Sequence, residues 1–230
     1  MMQTLISPLK ALAAYPRYVA ADVGAFFSTV ARYYPNARFR RADLHCLRAY
    51  LLHNPDAICR RYLRDAADDE GQKIYGETFF TTLEAIANAV GLSDKDVVYD
   101  LGCGRGRSVF WFNAMYGCKA IGVDINRYFV IQARGIQRKA GIEGVEFILA
   151  NALDLDYEDA TLIYLYGTAF TDAAIAKLVK RFASLKEGTR VVSVSYPLNA
   201  YAAEPLFELE QTIKAKYLWG TADIYIQRKL

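Results

Sequence analysis

A chain of 230 residues, 53% hydrophobic and 23% charged, can bury a sizeable core as one domain, which excludes disordered, collagen-like and low-complexity readings. Its formal net charge of +3 offers no argument for direct nucleic-acid binding. The longest apolar stretch, Tyr18 to Ala31, is broken by Asp22 and is too short to span a bilayer. No cleavable leader is expected at Met1 to Thr4. The cysteines Cys46, Cys59, Cys103 and Cys118 lack paired spacing and read as reduced thiols of a cytoplasmic protein.

Residues 1–74 read as a helical N-terminal extension punctuated by Pro8, Pro16, Pro35 and Pro55. Ser7-Pro8 and Asn54-Pro55 are helix starts, because proline suits the first helical position. Leu5, Leu9, Leu12, Val19, Val23, Phe26, Phe27 and Val30 supply an apolar face, read as a packed lid or dimer surface, with docking to an anionic membrane surface as the alternative. The basic excess around Arg38, Arg40, Arg41, Arg48, Arg60, Arg61 and Arg64 reads as a solvated helical face. Asp65 to Gly71, polar and acidic, marks a linker.

Residues 75–230 alternate helix and strand. Phe79, Leu83, Ile86 and Val90 recur at helical spacing up to Gly91. Strands are expected at Val97–Leu101, Ala120–Val123, Val145–Leu149, Thr161–Tyr166 and Val191–Val194, with two closing strands at Phe207–Lys214 and Ala222–Gln227. Helices are expected at Ser108–Tyr116, Arg127–Ala140 and from a cap at Thr171 through Ile175, Leu178, Val179 and Phe182. Continuous apolar strands separated by helices predict an α/β fold. It is a doubly wound, mostly parallel, seven-stranded Rossmann-like sheet, with its ligand beyond the carboxyl ends of the strands.

The chemistry is concentrated in Asp100-Leu101-Gly102-Cys103-Gly104-Arg105-Gly106-Arg107, directly after the first strand. Glycines there permit a tight turn and close ligand approach at a helix N-terminus. Arg107 stands where the dinucleotide fingerprint needs its last glycine. Asp100 would repel a pyrophosphate and attract a sulfonium or ammonium. Asp124 ends the second strand, where a carboxylate can receive a ribose diol; its alternative role is to cap the helix that begins near Arg127. Asn151, followed by Ala152, comes after the third strand and could face an adenine edge. A nucleoside with a positively charged tail, such as S-adenosylmethionine (SAM), fits this set.

In that order, D-L-G-C-G-R-G-R, G-V-D, A-N-A-L-D and L-K-E-G-T-R-V-V-S resemble the class I SAM-dependent methyltransferases. Tyr75-Gly76-Glu77-Thr78, Tyr166-Gly167-Thr168-Ala169-Phe170 and Leu178 to Ser195 are further similar to histone lysine methyltransferases of the disruptor-of-telomeric-silencing type and to related mitochondrial-type protein-lysine methyltransferases. The resemblance implies SAM as cofactor, held by Tyr75, Glu77, Thr78, Asp100, Gly102, Cys103, Gly104, Gly106, Arg107, Asp124, Asn151 and Ala152. Glu77 and Asp100 would then lie near the cofactor's amino group. The paired Asn of the histone enzymes is missing at Tyr166-Gly167-Thr168, so a histone acceptor does not carry over.

An amine acceptor must arrive neutral, which favours an aromatic channel over a strong base. Tyr75 and Tyr166 are the candidate catalytic residues, with Tyr164, Tyr196 and Trp219 as further lining. No metal-ligand spacing is present. The expected function is methyl transfer to a protein lysine amine. The alternatives are a small-molecule or lipid-headgroup acceptor, or a catalytically silent SAM-binding module. Residues 1–74 are expected to shape acceptor access, and a chain begun near Ala67 to retain cofactor binding.

Overall fold

The computed structural model describes residues 23–65, 76–167, 170–217 and 220–230. Tyr75, Thr168, Ala169, Trp219, the linker from Ala66 to Gly71 and the apolar positions Leu5, Leu9, Leu12 and Val19 lie outside the described residues.

Seven strands, β1 (Val97–Leu101), β2 (Lys119–Asp124), β3 (Val145–Leu149), β4 (Leu162–Leu165), β5 (Arg190–Val194), β6 (Phe207–Tyr217) and β7 (Gly220–Lys229), form one sheet in the order β3-β2-β1-β4-β5-β7-β6. β1 to β5 pair in parallel, and β7 is antiparallel to both its neighbours. This is the expected doubly wound, mostly parallel sheet, and the two closing strands run longer than their apolar cores suggested.

The helices follow their local chemistry. In α2 (Ala37–Ala49) the Asn36 side chain accepts from the amides of Arg38 and Phe39. α4 (Phe80–Ala89) ends two residues before Gly91, which adopts φ +61. In α6 (Arg127–Ala140) the N-cap is Asn126, and in α7 (Asp172–Phe182) it is Thr171. A helix over 23–33, here α1, and α3 (Pro55–Asp65) complete the N-terminal part. α5 (Arg107–Tyr116) follows the glycine loop.

Strand alternation feeds two cores. Val98, Ala120, Leu162 and Val192 face α4, α5 and α6 on one side of the sheet. Tyr99, Ile121, Ile163 and Val191 face α7 on the other. Right-handed crossovers demand this division. The chain winds outward from β1 to β3, then restarts at β4 on the opposite side of β1, so α5–α6 and α7 must cover opposite faces. The carboxyl ends of β1 and β4 therefore diverge, which opens a crevice there.

The N-terminal helices are not a loose appendage. Phe39, Ala42, Cys46 and Tyr50 are buried in the same core as Phe80, Trp111 and Phe129, and α2 packs on α5 and α6. Polar ties add to it: Asn36 Nδ2 donates to the Ala114 carbonyl at 2.7 Å, and Arg32 pairs with Glu84 at 2.6 Å. The expectation that a chain begun near Ala67 keeps cofactor binding is revised accordingly, since that cut strips one wall of the main core. Among the described residues, no helix is long and apolar enough to cross a membrane.

Candidate active site

The crevice holds a pocket open to solvent, walled by Glu77, Thr78, Asp100, Gly102, Cys103, Gly104, Arg107, Tyr164 and Tyr166 among others. The fold thus brings together residues scattered over some ninety positions, from the segment 76–79 ahead of α4 (the lid segment), the glycine loop and the end of β4. Asp124, Asn151 and Ala152 stand at the ends of β2 and β3, beyond this wall.

The loop is held in place by β2, since the Gly102 and Cys103 amides both donate to the Val123 carbonyl, at 2.8 and 3.0 Å. Gly102 takes φ +82, and a side chain there would meet no protein atom within 4 Å. It needs to be glycine for its backbone, and the space above it stays free for a ligand. Gly106 is required twice over: φ is +76, and a Cβ would sit 2.4 Å from the Phe147 ring.

Asp100 is a buried carboxylate and Asp124 a half-buried one. Burial, aided by the Asp124 charge, pushes Asp100 up to about 7, against a hydrogen bond from Ser108 that lowers it. Burial likewise pushes Asp124 up to about 6, against hydrogen bonds from the Asn126 and Gly104 amides. Those amides donate to the two carboxylate oxygens at 2.7 and 2.8 Å, leaving each oxygen a second lone pair. No ion pair among the described residues reaches either aspartate. A buried acid and a half-buried one, without a cation, are the complement of a ligand with a positive tail and a diol. The donor set therefore fits SAM. The cap of α6 is Asn126, whose side chain accepts from the Tyr128 amide, so Asp124 does not cap that helix.

The nearby basic groups are committed elsewhere. Arg105 grips Glu77 through two hydrogen bonds of 2.6 Å. Arg107 bonds Glu77 at 3.1 Å and both oxygens of Asp43 at 2.7 and 3.1 Å. The Tyr34 hydroxyl donates to Asp43 at 2.9 Å. Glu77 thus lines the pocket while bound to two arginines, which leaves Asp100 as the acid better placed for an ammonium group.

Tyr164 is buried with its hydroxyl bonded to Thr78, and burial raises its pKa well above the ordinary phenol value. Tyr166 faces Tyr217 across 5.4 Å and sits where a side chain on Gly76 would collide with it. The Tyr196 hydroxyl donates to the Gly167 carbonyl at 3.4 Å. Asn151 caps a short turn by accepting from the Leu153 amide at 3.0 Å. Asp43, Arg105, Ser108 and Tyr217 escaped the sequence reading. Asp43 had a usable signal, being an acid on the helical face shared by Phe39, Ala42 and Cys46.

Residues 100–204 match a family profile described as the ANTKMT methyltransferase domain. A protein-lysine N-methyltransferase of Saccharolobus islandicus is 31% identical over 122 residues, 52% of this chain and 74% of that protein. An H3 lysine-79-specific histone-lysine N-methyltransferase of Dictyostelium discoideum is 27% identical over 54% of this chain but only 8% of its own length. Among solved structures, an RNA methyltransferase from Salinibacter ruber in complex with S-adenosyl-L-homocysteine superposes with a TM-score of 0.56 at 25% identity, covering 66% of this chain and 93% of that one. With the strand order, the glycine loop and the two strand-end aspartates, these likenesses lead to one assignment: the chain is a SAM-dependent enzyme and belongs to the class I methyltransferases, in the same family as the Saccharolobus protein.

Proposed function

We propose that the enzyme methylates the side-chain amine of a protein lysine. The observation that carries this reading is the pocket wall opposite the glycine loop, where Tyr164, Tyr166 and Thr78 offer phenol and hydroxyl groups and no histidine or metal cluster. Such a wall suits an amine that is received as a cation on aromatic faces and reacts once neutral. The likeness to the Saccharolobus protein-lysine methyltransferase supports the same acceptor.

When bound, SAM supplies a methyl carbon already activated by sulfonium. In this reading Asp100 holds the positive tail, with Glu77 and Thr78 of the lid segment closing over it. The turn Gly102, Cys103, Gly104 and Gly106, followed by Arg107, brings the backbone against it. Asp124 takes the ribose diol, and Asn151 and Ala152 border the adenine. Tyr75 and Tyr166 align the acceptor amine for in-line displacement and exclude water, which is what a transfer without covalent enzyme chemistry requires. Helix α2 braces this machinery, and the N-terminal extension shapes the approach of the acceptor.

The test is incubation of the enzyme and methyl-labelled SAM with a cell extract, followed by separate recovery of protein, RNA and small molecules. Label in protein that survives as methyllysine after acid hydrolysis supports the reading. Label confined to lipid, RNA or metabolite refutes a lysine acceptor while preserving the methyltransferase.

A further inference from the structure

Two residues of β4 and two of the lid segment meet with the same period. The Tyr164 and Thr78 hydroxyls share a hydrogen bond. The Tyr166 ring fills the space beside Gly76, where a Cβ would lie 2.8 Å from the phenol oxygen. Glu77, between them, turns the other way and holds Arg105 and Arg107. Contacts that alternate in this way are those of an extended chain, whose successive side chains point to opposite sides. Gly76 does not take a positive φ, so its missing side chain makes room for the tyrosine ring and answers no backbone demand.

The two tyrosines are firm supports. Two apart on β4, they project from one face of a strand that is paired on both edges, with β1 and with β5. The Tyr164 ring packs on Phe112 at 6.3 Å and the Tyr166 ring on Tyr217 at 5.4 Å. Residues 76–79, by contrast, belong to no helix or strand, so side-chain contacts must place them. A slip of one residue along such a segment exchanges its two sides. It would carry Glu77 away from both arginines and against the tyrosines.

We propose that Tyr164 is a positioning residue of the cofactor site. With the Tyr166 ring as a second peg, it sets the register of the lid segment, which keeps Thr78 on the pocket wall and Glu77 on its arginines. The strand that carries the acceptor-aligning Tyr166 therefore also places the cofactor lid. The inference rests on the reading of Glu77 and Thr78 as cofactor residues.

Calorimetric titration of the full-length protein with S-adenosylhomocysteine tests it. Tyr164→Phe keeps the ring and removes the bond to Thr78, so affinity should fall about fivefold. Thr78→Val should weaken binding at least as much. In that background Tyr164→Phe should cost nothing more, the coupling of two residues that act through one contact. Gly76→Ala should weaken binding as well, and adding Tyr166→Ala should recover part of the loss, whereas Tyr166→Ala alone should not strengthen binding. A merely structural Tyr164 would lower the ligand-free melting temperature and leave affinity unchanged. That result, additive losses at Tyr164 and Thr78, or no recovery at Gly76 overturns the proposal while weakened Thr78→Val keeps the lid reading. Wild-type affinity in both Thr78→Val and Glu77→Gln overturns the lid reading beneath it.

Discussion

At the residue scale, burial governs what Asp100 and Asp124 do. Each is raised, to about 7 and about 6, because desolvation outweighs the hydrogen bonds it receives. A carboxyl whose folded pKa lies above its unfolded value favours folding fully below about pH 4, and that contribution is lost as pH rises through the folded value. The ligand-free wild type should therefore lose stability, relative to Asp100→Asn, between roughly pH 4 and pH 7. Parallel thermal melts of the two proteins across that range measure it, and parallel curves would count against a buried, proton-holding Asp100. The same acid should make SAM bind more tightly as pH rises from 5.5 to 7.5, a trend Asp100→Asn should blunt. At Asp124, loss of charge-assisted bonds worth about 1.5 to 3 kcal/mol each predicts at least a tenfold weaker SAM affinity in Asp124→Ala by calorimetry. Its apo melting temperature should also drop, since the Gly104 and Asn126 amides lose their acceptor.

At the element scale, α2 and the glycine loop are joined through charge. Asp43 is 1% exposed at its side chain and Arg107 19%, and Arg107 also reaches Glu77 on the lid segment. Removing one partner of a buried pair strands the other, at a cost of about 3 to 5 kcal/mol. Asp43→Ala should thus destabilise the protein by about 3 kcal/mol in urea titration, softened because Arg107 keeps Glu77. The freed Arg107 borders the pocket, so the KM for SAM should rise more than kcat falls. An Asp43→Ala enzyme with wild-type stability and KM would show that the network is ornamental. The resemblance to known methyltransferases pointed to Glu77 as a cofactor ligand, but spacing carries no information on Arg105 or Asp43. Asp43 meets Arg107 only once α2 lies against α5.

At the scale of the whole molecule, the N-terminal helices and the sheet share a core. Phe39 and Cys46 are fully buried against residues of α4 to α6. A chain begun near Ala67 should expose that face and fail to give a cooperative unfolding transition or bind SAM. A soluble shortened chain with wild-type SAM affinity would show that α2 is dispensable to the site. The composition break near residue 75 is real as a change from helical to alternating text. It does not follow that the core divides there, because hydrophobic contacts do not respect the order in which elements are read.

What the sequence determined by itself was local and periodic: the strands, the glycine turn, the cap at Thr171, and the acids Asp100 and Asp124 at strand ends. Each depends on a few neighbouring residues and on the fixed hand of parallel crossovers, so strand order and crevice followed. Tertiary structure alone decided which charges pair, that Tyr164 reaches Thr78, and that Arg105 lies over the Tyr50 ring. Such contacts join residues dozens to a hundred positions apart. Their partners are chosen by the packing of side chains on separate elements, which no spacing within one element encodes.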